Sequence, residues 1–290
     1  MELKSVIMGL GFVILWSSAF TSAKIIVQYS PPLLILAVRF FLTGSLGLVL
    51  ANFFCKKISL TKKEWYSLVA FGVCQNTIYL GCNFIAMGSI DAFLAVIIAS
   101  MLPILVAIIS WVTKVEKIGF IGLVGMLFGV FGCLIILKDK VMIPSNLFGM
   151  VFCLIGATAL AVATLLVKNT ISKKNQILRI VSLQMLVGGL PLIFLSLIFE
   201  TWEITFSTSF IIAFFYTCFF PGLLATIVWF NLVRKEGAIR ASAFHFLNPP
   251  MGVLIASLVL AESIELLDIF GIIILMIAIY LIYKSKRLPT

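Results

Sequence analysis

The stretch PILVAIISWVTKVEKIGFIGLVG, residues 103–125, decides the fold. One apolar run enters a turn that gathers Lys114, Glu116 and Lys117, and a second apolar run leaves it. The same order returns in PPMGVLIASLVLAESIELLDIFG, residues 249–271, where Pro249 stands against Pro103, Glu262 against Glu116 and Gly271 against Gly125. Each copy closes a set of five apolar runs, so the chain divides into halves at 1–139 and 140–290. Five is odd, so the second half enters a membrane upside down. Inverted repeats of this kind are a hallmark of secondary transporters.

The composition demands a membrane. Of 290 residues 62% are hydrophobic and only 11% are charged, against roughly a quarter charged in a soluble domain. The apolar runs are about 20 residues long, the length that crosses a bilayer as a helix. They lack strand-like alternation, so helices are expected and not a barrel. Ten spans are expected, near 5–27, 31–54, 65–87, 91–113, 118–137, 147–168, 178–199, 209–232, 240–261 and 266–284. The first is too long for a secretory leader and is read as retained. The six cysteines form no CxxC or Cys/His cluster, so neither a metal nor a disulfide framework is expected.

Charge sets the orientation. With the N-terminus inside, seventeen of the 21 lysines and arginines fall in cytoplasmic segments and only Lys138 and Lys140 in outer loops. The acids Asp91, Asp139, Glu200, Glu203, Glu262, Glu265 and Asp268 collect outside. This bias places both termini in the cytoplasm. The basic residues lie in short loops with no aromatic interleaving, so the net charge of +10 is no sign of nucleic acid.

Arg39 is the conspicuous residue. It lies about 12 Å into the second span, where a lipid-facing arginine costs at least about 2.5–3.5 kcal/mol. It must face the bundle interior. No carboxylate lies at its depth, so it either binds an anion or clamps backbone carbonyls. In span one Ser17, Thr21 and Lys24 share a helical face beside Trp16. In span three Asn76, Tyr79 and Asn83 share another, with Gln75 adjacent. Span nine offers Ser242, His245 and Asn248. Pro103, Pro249 and Pro250 interrupt spans four and nine at matching depths, the pattern that marks a central site. Thr226 and Trp229 in span eight are weaker candidates. Asp91 is expected to cap span four. Gly122, Gly125, Gly129 and Gly132 form a stripe on span five suited to close packing, within the bundle or between subunits of a homodimer.

No Walker A motif, HExxH or nucleophile elbow is present, so an enzyme is not expected. A cofactor is not expected either.

The motifs LWSSAFTSAKI, PPLLILAVRFF, IIASMLPILVAII with EKIG, and FHFLNPPMGVLIASLVLAE together resemble the drug/metabolite transporter superfamily, EamA-type branch. Ser17 stands where that family more often has glycine. The resemblance implies a basket-like fold with a central cavity, helices one to four and six to nine around it, and helices five and ten outside. It implies export of amino acids or other small metabolites, with S-adenosylmethionine import and multidrug export as alternatives. The expected setting is a bacterial inner membrane. The expected partners are a small-molecule substrate and the lipid bilayer.

Overall fold

The computed structural model describes residues 2–54, 60–90, 92–137, 146–170, 176–251, 254, 266–285 and 287–288. The chain is almost wholly helical. Helix α1 (Leu3–Ile26) crosses to a proline-led turn, and α2 (Pro32–Phe54) returns. The third crossing is α3 (Lys62–Gly72), a π-helical segment (Val73–Leu80) and α4 (Gly81–Met87). The fourth breaks at Met101 into α5 (Ala92–Ser100) and α6 (Leu102–Thr113). Strand β1 (Lys117–Ile118) and α7 (Phe120–Leu137) follow. Next come α8 (Leu147–Thr170) and α9 (Ile177–Phe199). Then α10 (Thr208–Thr217), a second π segment (Cys218–Leu224) and α11 (Ala225–Glu236) form one crossing. Helix α12 (Ala238–Ser242) tightens into a 3-10 stretch (Ala243–Leu247). Helix α13 (Leu266–Lys284) and β2 (Arg287–Leu288) end the chain.

Eight described helices are long and apolar enough to cross a membrane. The protein is therefore a multi-pass membrane protein. The expected fifth span is the shorter apolar helix Phe120–Ile136. Much of the expected ninth span, together with Glu262, Asp91 and the 139/140 boundary between halves, lies outside the described residues. Among the described residues the one sheet is small: Lys117 pairs with Leu288 and Ile118 with Arg287 in an antiparallel ladder.

Local signals explain the ends. Thr61 accepts from the Glu64 N–H while the Glu64 carboxylate accepts from the Thr61 N–H, a capping box that starts α3. Ser207 caps α10 by accepting from the Phe210 N–H. Ser110 accepts from the N–H of Glu116 and donates to its carbonyl, both at 2.8 Å, which folds the turn after α6. Where the chain meets water, Lys235 lies 2.6 Å from Glu2 and holds its carboxyl below the usual range. That pair helps at neutral pH and fades as acid protonates Glu2. It is exposed and therefore weak.

The glycine stripe settles inside the chain. A Cβ on Gly125 would lie 2.9 Å from the Ala278 carbonyl, and one on Gly132 would lie 3.2 Å from the Gly271 carbonyl, both on α13. Gly129 faces Phe246, and Gly122 faces Ile118 and Ser285. The stripe is thus a seam between α7, α13 and the 3-10 stretch. Gly125→Val is expected to destabilise the protein by about 1–3 kcal/mol, read as a lower melting temperature in detergent by fluorescence-detected gel filtration.

Candidate substrate site

A small cavity lies among α1, α2, the third crossing, α9 and the π segment before α11. Its volume is about 30 Å³, enough for about a water or two. The face that α1 presents to it is Trp16, Ala19, Phe20 and Ala23, at i, i+3, i+4 and i+7. Helix α2 supplies Arg39 and Phe40, and the third crossing supplies Gln75, Asn76, Tyr79, Leu80, Asn83, Phe84 and Met87. Met185, Pro221 and Thr226 complete the wall.

Arg39 is 4% exposed. Its Nε is buried with no hydrogen-bond partner among the described residues. Its guanidinium carbon lies 5.4 Å from the Phe40 ring centroid, a weak partner for a full charge. Pro221 and Gly222 explain why it fits. Pro221 lies inside the π segment, and a Cβ on Gly222 would sit 3.1 Å from an Arg39 Nη and 2.7 Å from the Thr217 carbonyl. The absence of a side chain at Gly222 leaves room for the guanidinium against that backbone.

The polar face of span three is held from behind. Asn76 Nδ2 donates to the Gln184 carbonyl at 3.0 Å and to Gln184 Oε1 at 2.5 Å. Thr77 donates to the Gly188 carbonyl at 2.7 Å. Gly72 and Gly188 permit this crossing of α3 with α9, since a Cβ on Gly188 would lie 2.6 Å from Asn76 Cβ. Asn83 Nδ2 donates to the Tyr79 carbonyl at 2.8 Å. Trp16 and Tyr79 face each other with rings 4° from parallel and centroids 6.0 Å apart. Two further polar atoms on the cavity residues, Trp16 Nε1 and Gln75 Oε1, are buried without a partner among the described residues.

Arg39, Trp16, Asn76, Tyr79 and Asn83 thus line one cavity. Gln75 and Thr226 also line it, whereas the remaining candidates do not. Lys24 donates to the Met87 and Ile90 carbonyls at 2.7 and 2.8 Å, closing the carbonyl end of α4. Thr21 is exposed, and Ser17 donates to Asn248 Oδ1 at 3.3 Å. The cavity face of α1 is thus rotated away from Ser17, Thr21 and Lys24. His245 sits behind Trp16, between Phe12 and Trp229 at 5.3 Å each, with Asn248 Nδ2 3.1 Å from its Nδ1. Pro103 and Pro249 are buried beside the interruptions at Met101 and Ala243–Leu247, away from the lining. Pro250 is half-buried there.

A helical membrane protein with an unpartnered, buried arginine Nε in a pocket between its helices is built like a carrier of small molecules. The EamA-like transporter family model matches residues 3–138 and again 147–284. The chain belongs to that family and is a membrane transporter of small molecules. It is 25% identical to the uncharacterized transporter YvbV of Bacillus subtilis, over 95% of this chain and 90% of that one. It is 27% identical to a WAT1-related chloroplastic protein of Arabidopsis thaliana, over 92% and 66%. It is also 27% identical to an uncharacterized transporter of Archaeoglobus fulgidus, over 93% and 95%. A solved crystal structure shares its fold with a TM-score of 0.76, at 16% identity, across 97% of this chain and 96% of that one.

An unpaired buried charge is costly, by several kcal/mol. Arg39→Met fills similar volume without that cost. It is expected to stabilise the substrate-free protein by about 1–4 kcal/mol, seen as a raised melting temperature in detergent.

Proposed function

We propose that this transporter carries small carboxylate-bearing metabolites, amino acids foremost, by alternating access around Arg39. The supporting observation is the orphaned guanidinium: its buried Nε has no partner, and no carboxylate lines the cavity among the described residues. A substrate carboxylate supplies the missing acceptors in a charge-assisted pairing. Gln75 Oε1 and the parallel rings of Trp16 and Tyr79 suit a cationic group beside that carboxylate. Amino acids and S-adenosylmethionine both carry one. A lipophilic drug cation would meet Arg39 with no counter-charge, which weighs against multidrug export.

Ten spans in two inverted five-helix halves, 1–139 and 140–290, frame this cycle. Two contacts support the pseudo-twofold. Helix α2 packs on its counterpart α9, and α7 on its counterpart α13. The π segments occupy the third span of each proposed half, and the interruptions at Met101 and Ala243–Leu247 occupy the fourth. The lysine and arginine bias supports cytoplasmic termini, and a Bacillus relative supports a bacterial inner membrane.

Counterflow in proteoliposomes tests the substrate. Vesicles loaded with pooled amino acids, or with S-adenosylmethionine, are expected to accumulate the matching labelled compound. Arg39→Met is expected to lower that uptake about ten- to a hundredfold, the loss of a charged hydrogen-bonded pair. Uptake that survives the variant would remove Arg39 from the site.

A further inference from the structure

Two carboxylates outside the cavity are each bound to backbone N–H groups of the opposite family-matched segment. Glu116, just after α6, accepts from the Ala238 and Ile239 N–H groups at 3.0 and 3.2 Å. Glu200, at the end of α9, accepts from the Leu33 and Leu34 N–H groups at 2.8 and 2.9 Å. The first contact lies on the membrane face that holds the N-terminus, beside Glu2 and Lys235. The second lies on the opposite face, where α1 hands over to α2.

Both contacts are built, not incidental. At α2 the first turn opens with prolines 31 and 32, which have no N–H, and the Ile35 N–H already bonds the Pro31 carbonyl. Leu33 and Leu34 hold the donors left over at that helix start, and Glu200 takes both. At α12 the backbone enters through Gly237 at φ +81°. A Cβ there would lie 2.8 Å from Glu116 Oε1, so glycine serves both the turn and the approach of the carboxylate. Lys114 turns the chain at φ +56°, and Ser110 pins Glu116 through both backbone groups.

We propose that Glu116 and Glu200 are the paired latches of the transport cycle, each holding one membrane face shut by clamping a helix start across the two halves. In this structure both are closed. The polar lining residues are at most 5% exposed, as a doubly latched carrier requires. Release of Glu200 frees the start of α2, the helix that carries Arg39. Release of Glu116 frees the start of the α12 crossing. Other contacts between the segments are weaker candidates. The exposed Lys235–Glu2 pair is worth little, and Arg179 reaches Ala51 and Asn52 from the protein edge.

The inference rests on alternating access but not on the substrate, and its test uses none. The reporter is Ala19→Cys on the cavity face of α1, in a protein whose six native cysteines are replaced. A membrane-impermeant maleimide is applied to vesicles of each orientation. Glu200→Gln is expected to speed labelling about tenfold from the Glu200 face and to leave the other face unchanged. Glu116→Gln is expected to do the converse. If either fails to accumulate as a monodisperse protein, Glu→Asp at the same position, shorter by one methylene, gives the same sided reading. Equal change from both faces, or none, would overturn the latches. Sided labelling with no counterflow of any metabolite would keep them and discard the substrate reading.

Discussion

In hydrocarbon every backbone polar group must find its partner within the protein, and this constraint organises the molecule. Long unbroken helices meet it automatically, and α1, α2, α8 and the outer α13 are such helices. Departures from the regular ladder are tolerable only where other protein or water takes up the freed groups. Among the described residues they include the π segments of Val73–Leu80 and Cys218–Leu224, the break at Met101, the 3-10 stretch Ala243–Leu247 and Pro191 within α9. Side-chain hydroxyls absorb part of the surplus. Thr226 donates to the Gly222 carbonyl and Thr217 to the Ala213 carbonyl, both at 2.6 Å. The two π segments also border the cavity, in keeping with the frequent use of such bulges at functional sites.

The eight long apolar crossings and the buried arginine were legible in the sequence because both follow from transfer free energy alone. Length and apolarity define a crossing, and a charge far from either end of one stands out. The face Asn76, Tyr79 and Asn83 was legible too, since three polar side chains at helical spacing on an apolar helix mark the interior side. The face of α1 was not. That helix is apolar around its whole girth, so periodicity does not separate lipid from protein, and small polar residues proved a poor guide. Ser17 and Lys24 bond to Asn248 and to backbone carbonyls, while the cavity receives Trp16, Ala19, Phe20 and Ala23. His245 lies off the cavity lining. A rare titratable residue attracts a functional reading, yet its ring is enclosed by Phe12, Trp16 and Trp229. Gln184 escaped notice because a lone amide in a span has no pattern around it. Its bonds to Asn76 depend on how α9 crosses α3, a tertiary fact. Pro221 was the one sequence signal for the second π segment, since a proline inside a helix removes a ladder hydrogen bond.

The cavity is too small for a metabolite, and this fits the unpaired state of Arg39. A guanidinium held without acceptors raises the free energy of the empty closed protein. On the proposed reading, a substrate carboxylate would relieve that cost, so its binding energy would be larger in any state where the guanidinium otherwise stays dry. A ligand shifts a conformational equilibrium only by its differential affinity for the states. The apolar lining of Phe20, Phe40, Phe84 and Met87 supplies little of that difference, because it is buried with or without substrate. On that reading the electrostatic term carries the coupling between occupancy and closure. Helix α2 joins the two ends of the process physically: its start is bound by Glu200 and its middle presents Arg39. A change at the guanidinium and a change at the helix start then act on the same rigid element, which needs no longer chain of contacts between the site and that face of the membrane.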